Sequence, residues 1–215
     1  MSLYLGSSKA GALYHGSTKI GQAYIGSVKI YQSGNPYNPL GLPPFTIRLR
    51  YADGVTPTFS KGTGVQVSAS PNIWDLTYEN TNWRSLRQDD RQLLEILGAN
   101  TTGVTNMGYM LYWNSSLPTI PLFDTSAVEN FGFMCDHCQS LTSVPAFNVS
   151  SARYVNYMFD GCYNVEQGAL ALYNRLSARP EVTSYTACFN NCGRDTASGQ
   201  AELAQIPTSW GGTMS

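Results

Sequence analysis

The chain has 215 residues, of which 42% are hydrophobic and 12% aromatic, enough apolar side chains for one or two folded domains. Only 13% of the residues are charged, and 13 basic against 14 acidic residues leave a net charge of -1. Because phosphate binding needs a concentrated basic face, nucleic acid is not an expected partner. No apolar stretch reaches the roughly 18 residues of a membrane span, so no membrane partner is expected.

The N-terminal residues carry no basic and apolar segments of the kind that form a secretory signal. We therefore expect a protein that is made in a cytoplasm. Its five cysteines, an odd number in a chain this long, do not resemble a secreted disulfide framework. Reduced thiols are expected.

Residues 1–32 repeat a ten-residue pattern three times, with tyrosine at positions 4, 14 and 24 and a Gly-Ser pair after each. Glycine takes positive φ at the first position of a type II′ turn without strain, so the pattern predicts short β-hairpins. Hairpins this small are marginal alone. We hypothesise that the segment pairs with copies of itself in an oligomer or with another component of an assembly. The alternative is a glycine-rich meander packed on the chain's own cap.

Residues 33–44 hold four prolines and two glycines, which indicates a linker. From Phe45 to Tyr51 apolar and polar residues alternate, and an Asp-Gly pair follows at 53–54. This pattern predicts a half-buried strand and a turn. Two further strands are predicted near residues 65–68 and 72–78. Residues 45–85 are therefore predicted to form a small β-rich N-terminal cap.

Residues 93–110, 117–134 and 141–158 align without a gap at a period of 24 residues. The apolar columns of the alignment are Leu93/Leu117/Leu141, Ile96/Ile120/Val144, Ala99/Phe123/Phe147, Met107/Phe131/Val155, Tyr109/Phe133/Tyr157 and Met110/Met134/Met158. Fixed apolar columns at such a period are typical of solenoids, in which stacked coils bury a common core. We predict a β-rich leucine-rich-repeat solenoid with a C-terminal cap over residues 86–215. The small β cap, short helices and the N-terminal β-hairpin repeat complete the predicted fold.

The repeat continues less regularly towards the C-terminus. Cys192 matches Cys162 at 30 residues instead of 24, and the insert at residues 168–178 has apolar residues at helix-like spacing. A short helix is predicted there. Leu203 and Ile206 repeat the spacing of an earlier coil, so residues around them are predicted to close the stack as a last half-coil.

A family resemblance rests on the segments at 116–134 and 140–162. They share a Ser-Leu start, a Val/Ile-Pro pair, Phe-Asp/Asn and a Met-Phe-x-x-Cys close, although Asn114 replaces the cysteine of one coil. This pattern resembles the BspA-like leucine-rich repeats of bacterial surface proteins. The whole arrangement, including "NIWDLTYENTNW" at 72–83 and the "YIGSVKI"-type repeats, is similar to proteins of gut phages and prophages.

The resemblance implies a virion-associated binding protein, such as a tail fibre or receptor-binding module, located in the virion and made in the host cytoplasm. Its implied partner is a bacterial surface glycan or protein that serves as host receptor. Residues 1–32 would then attach to other virion proteins or build a homo-oligomer such as a trimer.

Four of the cysteines and His137 have positions that could support metal binding or catalysis. Cys135, Cys138, Cys188 and Cys192 have short paired spacings that could suit a tetrahedral zinc site. We favour small buried thiols whose S–H faces a backbone carbonyl, because Cys138, Cys162 and Cys192 share one column. His137 could join a Cys-His-Asp set, but no nucleophile motif supports one, and we expect a solvated corner residue. His15 lies in the turn-rich repeat.

The paired acidic residues and the glycosylation sequons are also expected to have structural roles. Asp89 and Asp90 with Glu95 could supply paired acids for glycoside hydrolysis, yet adjacent acids near a polar corner are more often exposed. The glycosylation sequons at Asn100, Asn114 and Asn148 are expected to cap corners, since no secretory signal accompanies them. We therefore predict no enzyme activity, no catalytic residues, no metal and no cofactor.

The predicted contact surface consists of residues that the apolar columns leave over. Aromatic residues matter most there, because they give large contact area and stack on sugar rings or partner side chains. The candidate ligand-binding residues are Tyr112, Trp113, Thr119, His137, Ser143 and Tyr163. Each could instead pack within or between coils.

Three function classes remain open. The favoured one is a phage receptor-binding or tail-fibre protein. A bacterial cell-surface leucine-rich-repeat adhesin is the alternative, and it would need an export signal or wall anchor. An enzyme built on repeats is the third, without a visible catalytic set.

Deleting residues 1–32 tests the assembly role of the decapeptide repeat. We expect the truncated chain to form particles with fewer copies than the full chain does, because short hairpins need partner strands to be stable. Sedimentation equilibrium measures both masses. An unchanged oligomeric state would remove the assembly role and favour the meander packed on its own chain.

Overall fold

A computed structural model describes residues 37–84 and 92–214 and, for four short N-terminal strands, the backbone. The strands are β1 (Leu13–His15), β2 (Thr18–Ile20), β3 (Gln22–Ile25), β4 (Val28–Gln32), β5 (Thr46–Tyr51), β6 (Thr63–Ala69), β7 (Asn72–Thr77) and β8 (Leu93–Asn100). The helices are α1 (Ala169–Ser177) and α2 (Ala197–Leu203), followed by a 3-10 turn at Thr208–Trp210.

The N-terminal repeat forms two antiparallel hairpins. β1 pairs with β2, and β3 pairs with β4, with Ile25 opposite Val28. The two hairpins flank the Gly-Ser pairs at 16–17 and 26–27, so the prediction of hairpins around these pairs is confirmed. The three Gly-Ser pairs themselves, at 6–7, 16–17 and 26–27, lie outside the described residues, as does the side chain of His15. What the hairpins pair with stays a prediction.

Strands β5 to β8 form an open antiparallel sheet in the order β6-β7-β5-β8. The three strands predicted between residues 45 and 78 are confirmed, but β5 is not half-buried. Ile47 and Leu49 are buried on one of its faces, and Arg48 is buried on the other, where Asp75 accepts two hydrogen bonds of 2.6 Å from its guanidinium. The pairing satisfies a charge that burial would otherwise destabilise.

The second face of β5 is buried because the proline-rich segment before it folds back over the sheet. Leu40 packs above Gly98, the residue opposite Arg48 on β8, where a Cβ atom would come within 2.9 Å of Leu40 Cδ1. Asn100 Nδ2 also donates to the carbonyl oxygen of Leu42 at 2.8 Å. The described part of the predicted linker is therefore a sheet cover.

From residue 101 onwards the chain winds in turns that are joined backbone to backbone at the 24-residue spacing. Asn106 forms a parallel bridge with Asn130, and Asn130 forms one with Tyr154. The N–H of Phe131 donates to the carbonyl oxygen of Tyr154 at 2.8 Å, and the N–H of Met107 donates to that of Asn130 at 2.8 Å. Residues of one alignment column therefore lie side by side in successive turns.

The predicted fold class, a β-rich leucine-rich-repeat solenoid, is wrong. The sheet is the small open antiparallel one, and the bridges between turns are isolated and do not join into strands. Residues 117–122 and 141–146, which a β-rich solenoid would place in strands, form none. Pro118 and Pro121 lack the N–H that a ladder requires. The aligned segment without proline, β8, does form a strand, but it pairs with β5.

Two helices lie in the C-terminal third. The helix predicted over residues 168–178 is confirmed by α1, which buries Ala169, Leu172 and Leu176. Residues 197–203 were not predicted to be helical, yet they form α2. Its N-cap is Thr196, whose hydroxyl accepts a 3.0 Å hydrogen bond from the N–H of Gly199, a usual role for threonine at this position.

One apolar core runs from the sheet to the C-terminus. At the sheet end Trp83 stacks on Tyr78, with ring centroids 4.7 Å apart. At the C-terminal end Leu203 and Ile206 are buried as predicted, and Trp210 stacks on Tyr185 at 4.3 Å. Stacked pairs of large rings thus lie within this core near the sheet and near the C-terminus.

The cysteine column is buried inside this core. The thiol of Cys138 donates to the carbonyl oxygen of Leu111 at 3.1 Å, and that of Cys162 donates to Cys135 at 3.0 Å. The prediction of buried thiols that face backbone carbonyls is confirmed for these two residues. Asn114 occupies the same column one turn earlier and is 0% exposed. Within the described ranges, neither polar atom of its side chain has a hydrogen-bond partner.

Replacing Asn114 with cysteine should stabilise the protein. A buried amide without partners costs about 1–3 kcal/mol, whereas a thiol at this place resembles the two buried thiols above it. We expect Asn114→Cys to raise the free energy of unfolding by about 1 kcal/mol, measured by urea denaturation. The reverse change, Cys138→Asn, is the matched control and should destabilise. A less stable Asn114→Cys variant would show that the amide has a favourable partner.

Candidate functional site

Two columns of the repeat hold large residues at positive φ, four positions apart within each turn. Tyr109, Phe133 and Tyr157 form the first column, with φ of 61°, 57° and 56°, and Trp113 and His137 form the second, with φ of 61° and 59°. Side chains other than glycine and asparagine are uncommon in this left-handed region, and each costs about 1–3 kcal/mol there. The column residues must gain something that offsets this strain.

The rings of the first column stack face to face. The centroids of Tyr109 and Phe133 are 4.6 Å apart at an interplanar angle of 7°, and those of Phe133 and Tyr157 are 4.8 Å apart at 14°. These spacings follow the distance between hydrogen-bonded backbones, about 4.7–4.9 Å. The guanidinium of Arg84 lies 5.2 Å over the ring of Tyr109. The backbone pairing between turns therefore sets the geometry of the stack.

The second column continues the same surface. Trp113 stacks on His137 with centroids 4.5 Å apart and an angle of 3°. Next in this column is Gly161, where an added Cβ would lie 3.1 Å from His137 Cγ, so only glycine leaves the imidazole undisturbed. Tyr163 meets His137 edge to face at 6.3 Å, and Arg194 lies 3.7 Å over the ring of Tyr163.

Tyr112 connects the two columns, because its ring meets Tyr109 at 5.6 Å and Trp113 at 6.3 Å, both edge to face. The rings are half-buried, so part of each remains at the surface. We call this surface the aromatic strip. It comprises Arg84, Tyr109, Tyr112, Trp113, Phe133, His137, Tyr157, Tyr163 and Arg194.

His137 is hydrogen-bonded to its neighbour Asp136. The carboxylate of Asp136 is hydrogen-bonded to His137 Nδ1 and is only 5% exposed. Burial raises the pKa of Asp136, and the hydrogen bond to His137 partly opposes that rise. The neighbouring thiols of Cys135 and Cys138 are fully buried, and burial raises the pKa of Cys135. The hydrogen bond between Asp136 and His137 thus orients the imidazole against Trp113. The neighbouring cysteines place no reactive thiol at the surface beside it.

The structure brings four of the predicted ligand-binding residues together. Tyr112, Trp113, His137 and Tyr163 all belong to the aromatic strip. Thr119 and Ser143 lie in two other segments that are adjacent to one another. The N–H of Thr142 donates to the carbonyl oxygen of Pro118 at 3.1 Å, and Ser143 forms a parallel bridge with Gln167 in the next segment. His137 lies at a turn, as expected, but it is less solvated than expected, because it is stacked and hydrogen-bonded and its side chain is 26% exposed.

Several members of the strip were missed or misassigned. Tyr109, Phe133 and Tyr157 were placed among the core columns, but they are half-buried at the surface. Their shared ring type at one position of each repeat was the available signal. Arg84 and Arg194 carry no sequence signal for their places over tyrosine rings. The proposed acids Asp89 and Asp90 lie outside the described residues.

Two of the three sequon asparagines cap corners as predicted. Asn148 Oδ1 accepts a hydrogen bond from the N–H of Ser150 at 3.0 Å, and Asn100 Oδ1 accepts one from Thr102 at 3.4 Å. The third expectation is wrong, because Asn114 is completely buried.

Residues 37–84 and 92–214 contain no cluster of three or more histidine, cysteine, aspartate or glutamate side chains that could hold a metal ion. Burial raises the pKa of the thiols of Cys135, Cys162, Cys188 and Cys192, which favours the protonated form over the thiolate that zinc needs. In the same part of the chain, no helix is both long and apolar enough to cross a membrane.

A protein-family model matches residues 81–198, more than half of the chain. The chain belongs to the DUF285 family. The family is described as "Mycoplasma protein of unknown function", so membership assigns no activity. The matched DUF285 segment contains the whole aromatic strip, from Arg84 to Arg194. No curated protein and no solved structure matches the chain.

The buried state of the thiols predicts their reactivity. In the native protein none of the five cysteines should react with a small aromatic disulfide reagent at pH 8, because all are buried out of the reagent's reach. All five should react once the chain is unfolded in guanidinium chloride. Absorbance of the released thiolate measures both states. One fast-reacting thiol in the native state would contradict the buried column.

Proposed function

We propose that the chain is a non-enzymatic binding module of the phage receptor-binding or tail-fibre type, associated with the virion, and that it contacts a bacterial surface ligand through the aromatic strip. A bacterial cell-surface adhesin is the alternative, and it would use the same surface. The ligand would be a surface glycan or protein.

The observation that carries this proposal is the set of five large rings at positive φ. In the second column the chain also uses Gly161 and Asn191, so small residues satisfy the same backbone. Each ring costs about 1–3 kcal/mol in backbone strain, which its partial burial and its stacking, about 0.5–1.5 kcal/mol per pair, together roughly offset. Folding therefore gains little net stability from rings at these positions, and a contact surface gives a reason for them.

The composition of the strip supports the same function. Tyrosine, tryptophan and arginine are the residues most enriched among those that carry the binding energy of interfaces. Stacking fixes the rings before any ligand arrives, so little side-chain entropy is lost on binding. The guanidinium groups of Arg84 and Arg194 rest on the rings at either end of the strip. A rigid aromatic surface flanked by donors is suited to recognition.

The way the rings stack restricts the mode of contact. Phe133 has a ring on each face, Trp113 and His137 cover one another, and Arg194 covers a face of Tyr163. A ligand therefore meets mainly ring edges, hydroxyl groups and guanidinium groups. If the ligand is a glycan, we expect hydrogen bonds to these groups rather than sugar rings stacked along the centre of the strip.

Substitution in the strip should remove binding without unfolding the chain. Trp113→Gly removes a ring and also relieves the strain of positive φ, so the two effects on stability partly cancel. On any gut bacterium that binds the fluorescently labelled parent, we expect an affinity loss of about tenfold to a hundredfold, measured by flow cytometry. Leu122→Ser changes an exposed apolar residue outside the strip, 38% exposed, and should bind like the parent.

Circular dichroism and the melting temperature show whether Trp113→Gly is folded. A folded Trp113→Gly variant that binds as tightly as the parent would contradict the proposed role of the strip. The virion association is tested separately by mass spectrometry of purified phage particles from a strain that carries the gene. We expect the chain to copurify with particles, and its absence from them would leave only the adhesin alternative.

A further inference from the structure

A shallow groove lies between helix α1 and the turn at residues 146–150, and the aromatic strip does not include it. Its lining is mainly apolar and includes Ala146, Phe147 and Ala178. Arg175 and Arg179 also line it, and none of its lining residues is acidic. Two positive charges therefore border an apolar groove in a chain whose net charge is -1.

Arg175 is held in place by the backbone on both sides of the groove. Its Nη1 donates to the carbonyl oxygen of Phe147 at 2.7 Å, and its Nε lies 3.4 Å from the carbonyl oxygen of Ala171. These bonds tie α1 to the turn and fix the position of the charge. A guanidinium has five N–H donors, so two such bonds leave donors for a ligand.

Arg179 has weaker hydrogen-bond and ion-pair partners than Arg175. Its side chain is only 25% exposed, and its ion pair with Glu181 is loose, at 3.6 Å, with a partner that is 53% exposed. The Nε atom of Arg179 is buried and has no hydrogen-bond acceptor within the described residues, so an anion would have to approach the Nη groups. Because the pair with Glu181 is loose, the charge of Arg179 is incompletely neutralised. Further negative charge beside this group would be stabilising.

We propose that this groove binds an anionic group carried on a short aliphatic chain. The carboxylate or phosphate lies against Arg179 and Arg175, and the aliphatic part covers Ala146 and Ala178. Arginine suits this task because its planar fork matches the geometry of both anions. A small molecule that carries a carboxylate or a phosphate on an alkyl stem has this chemistry. The site is distinct from the aromatic strip and goes beyond the proposed function.

The test uses defined probes and the full chain labelled with nitrogen-15. Hexanoate and hexyl phosphate carry the two anions on the same stem, and hexanol carries none. We expect at least one anionic probe to shift the amide signals of residues 146–150 and 174–179 saturably, with a dissociation constant of about 1–10 mM for so small a ligand. Hexanol should bind at least about tenfold more weakly, because it cannot pair with the guanidinium groups. The tighter of the two anions identifies the preferred head group.

Matched variants assign the effect to the groove. Arg179→Gln should weaken the anionic probe about fivefold or more, whereas Arg153→Gln, which removes an exposed arginine paired with Glu129 outside the groove, should not. Arg179→Lys keeps the charge without the fork and should give an intermediate loss, so it serves as a second variant if Arg179→Gln fails to fold. The proposal is overturned if neither anion gives saturable shifts in the groove, if hexanol binds equally well, or if the Arg179 variants bind like the parent.

Discussion

The hydrogen bonds between consecutive turns are the interaction on which the rest of the molecule depends. The N–H of Met107, Phe131 and Val155 each donates to a carbonyl oxygen of the following turn, at 2.7–2.8 Å. These bonds bring equivalent side chains of successive turns into contact, so that the cysteine column becomes internal and the ring columns become external. The last of them spans the inserted helix α1, which shows that the spacing between turns tolerates an insertion.

The same bonds explain why the surface is aromatic and why the turns are not strands. A residue at positive φ interrupts an extended backbone, and every turn has such residues four positions apart, as at Tyr109 and Trp113. The pairing between turns is therefore limited to isolated bridges. The conformation also points the large side chains outwards in register, where they stack at the backbone spacing. The positive φ values therefore account both for the backbone strain and for the ordered stacking of the surface rings.

The sequence predicted which residues lie beside one another in successive turns better than it predicted the fold class. The alignment at 24 residues placed Asn106 beside Asn130 and put Cys138 and Cys162 in one buried column, and both are observed. Helix α1 followed from its spacing. The solenoid strands are absent because Pro118 and Pro121 lack the N–H that a ladder requires. Strand β8 pairs antiparallel with β5 instead, through contacts distant in sequence that the period does not show.

The site was only partly predictable for a related reason. Tyr112, Trp113, His137 and Tyr163 were found because aromatic residues stood outside the apolar columns. Positive φ is usually signalled by glycine or asparagine, so the positive φ of Tyr109 was not predictable, and its ring at the same repeat position as Phe133 and Tyr157 was the one signal of a surface column. Arg194 carried no such signal, since its place over Tyr163 depends on how the last turn closes.

Hydrogen exchange of individual amides tests the pairing of turns most directly. The amides of Met107, Phe131 and Val155 donate between turns, so all three should be strongly protected and should exchange at similar, slow rates in one cooperative unit. Exposed amides such as that of Thr119 should exchange rapidly in the same experiment. Exchange of the three interior amides at rates close to those of an unfolded chain would contradict the account.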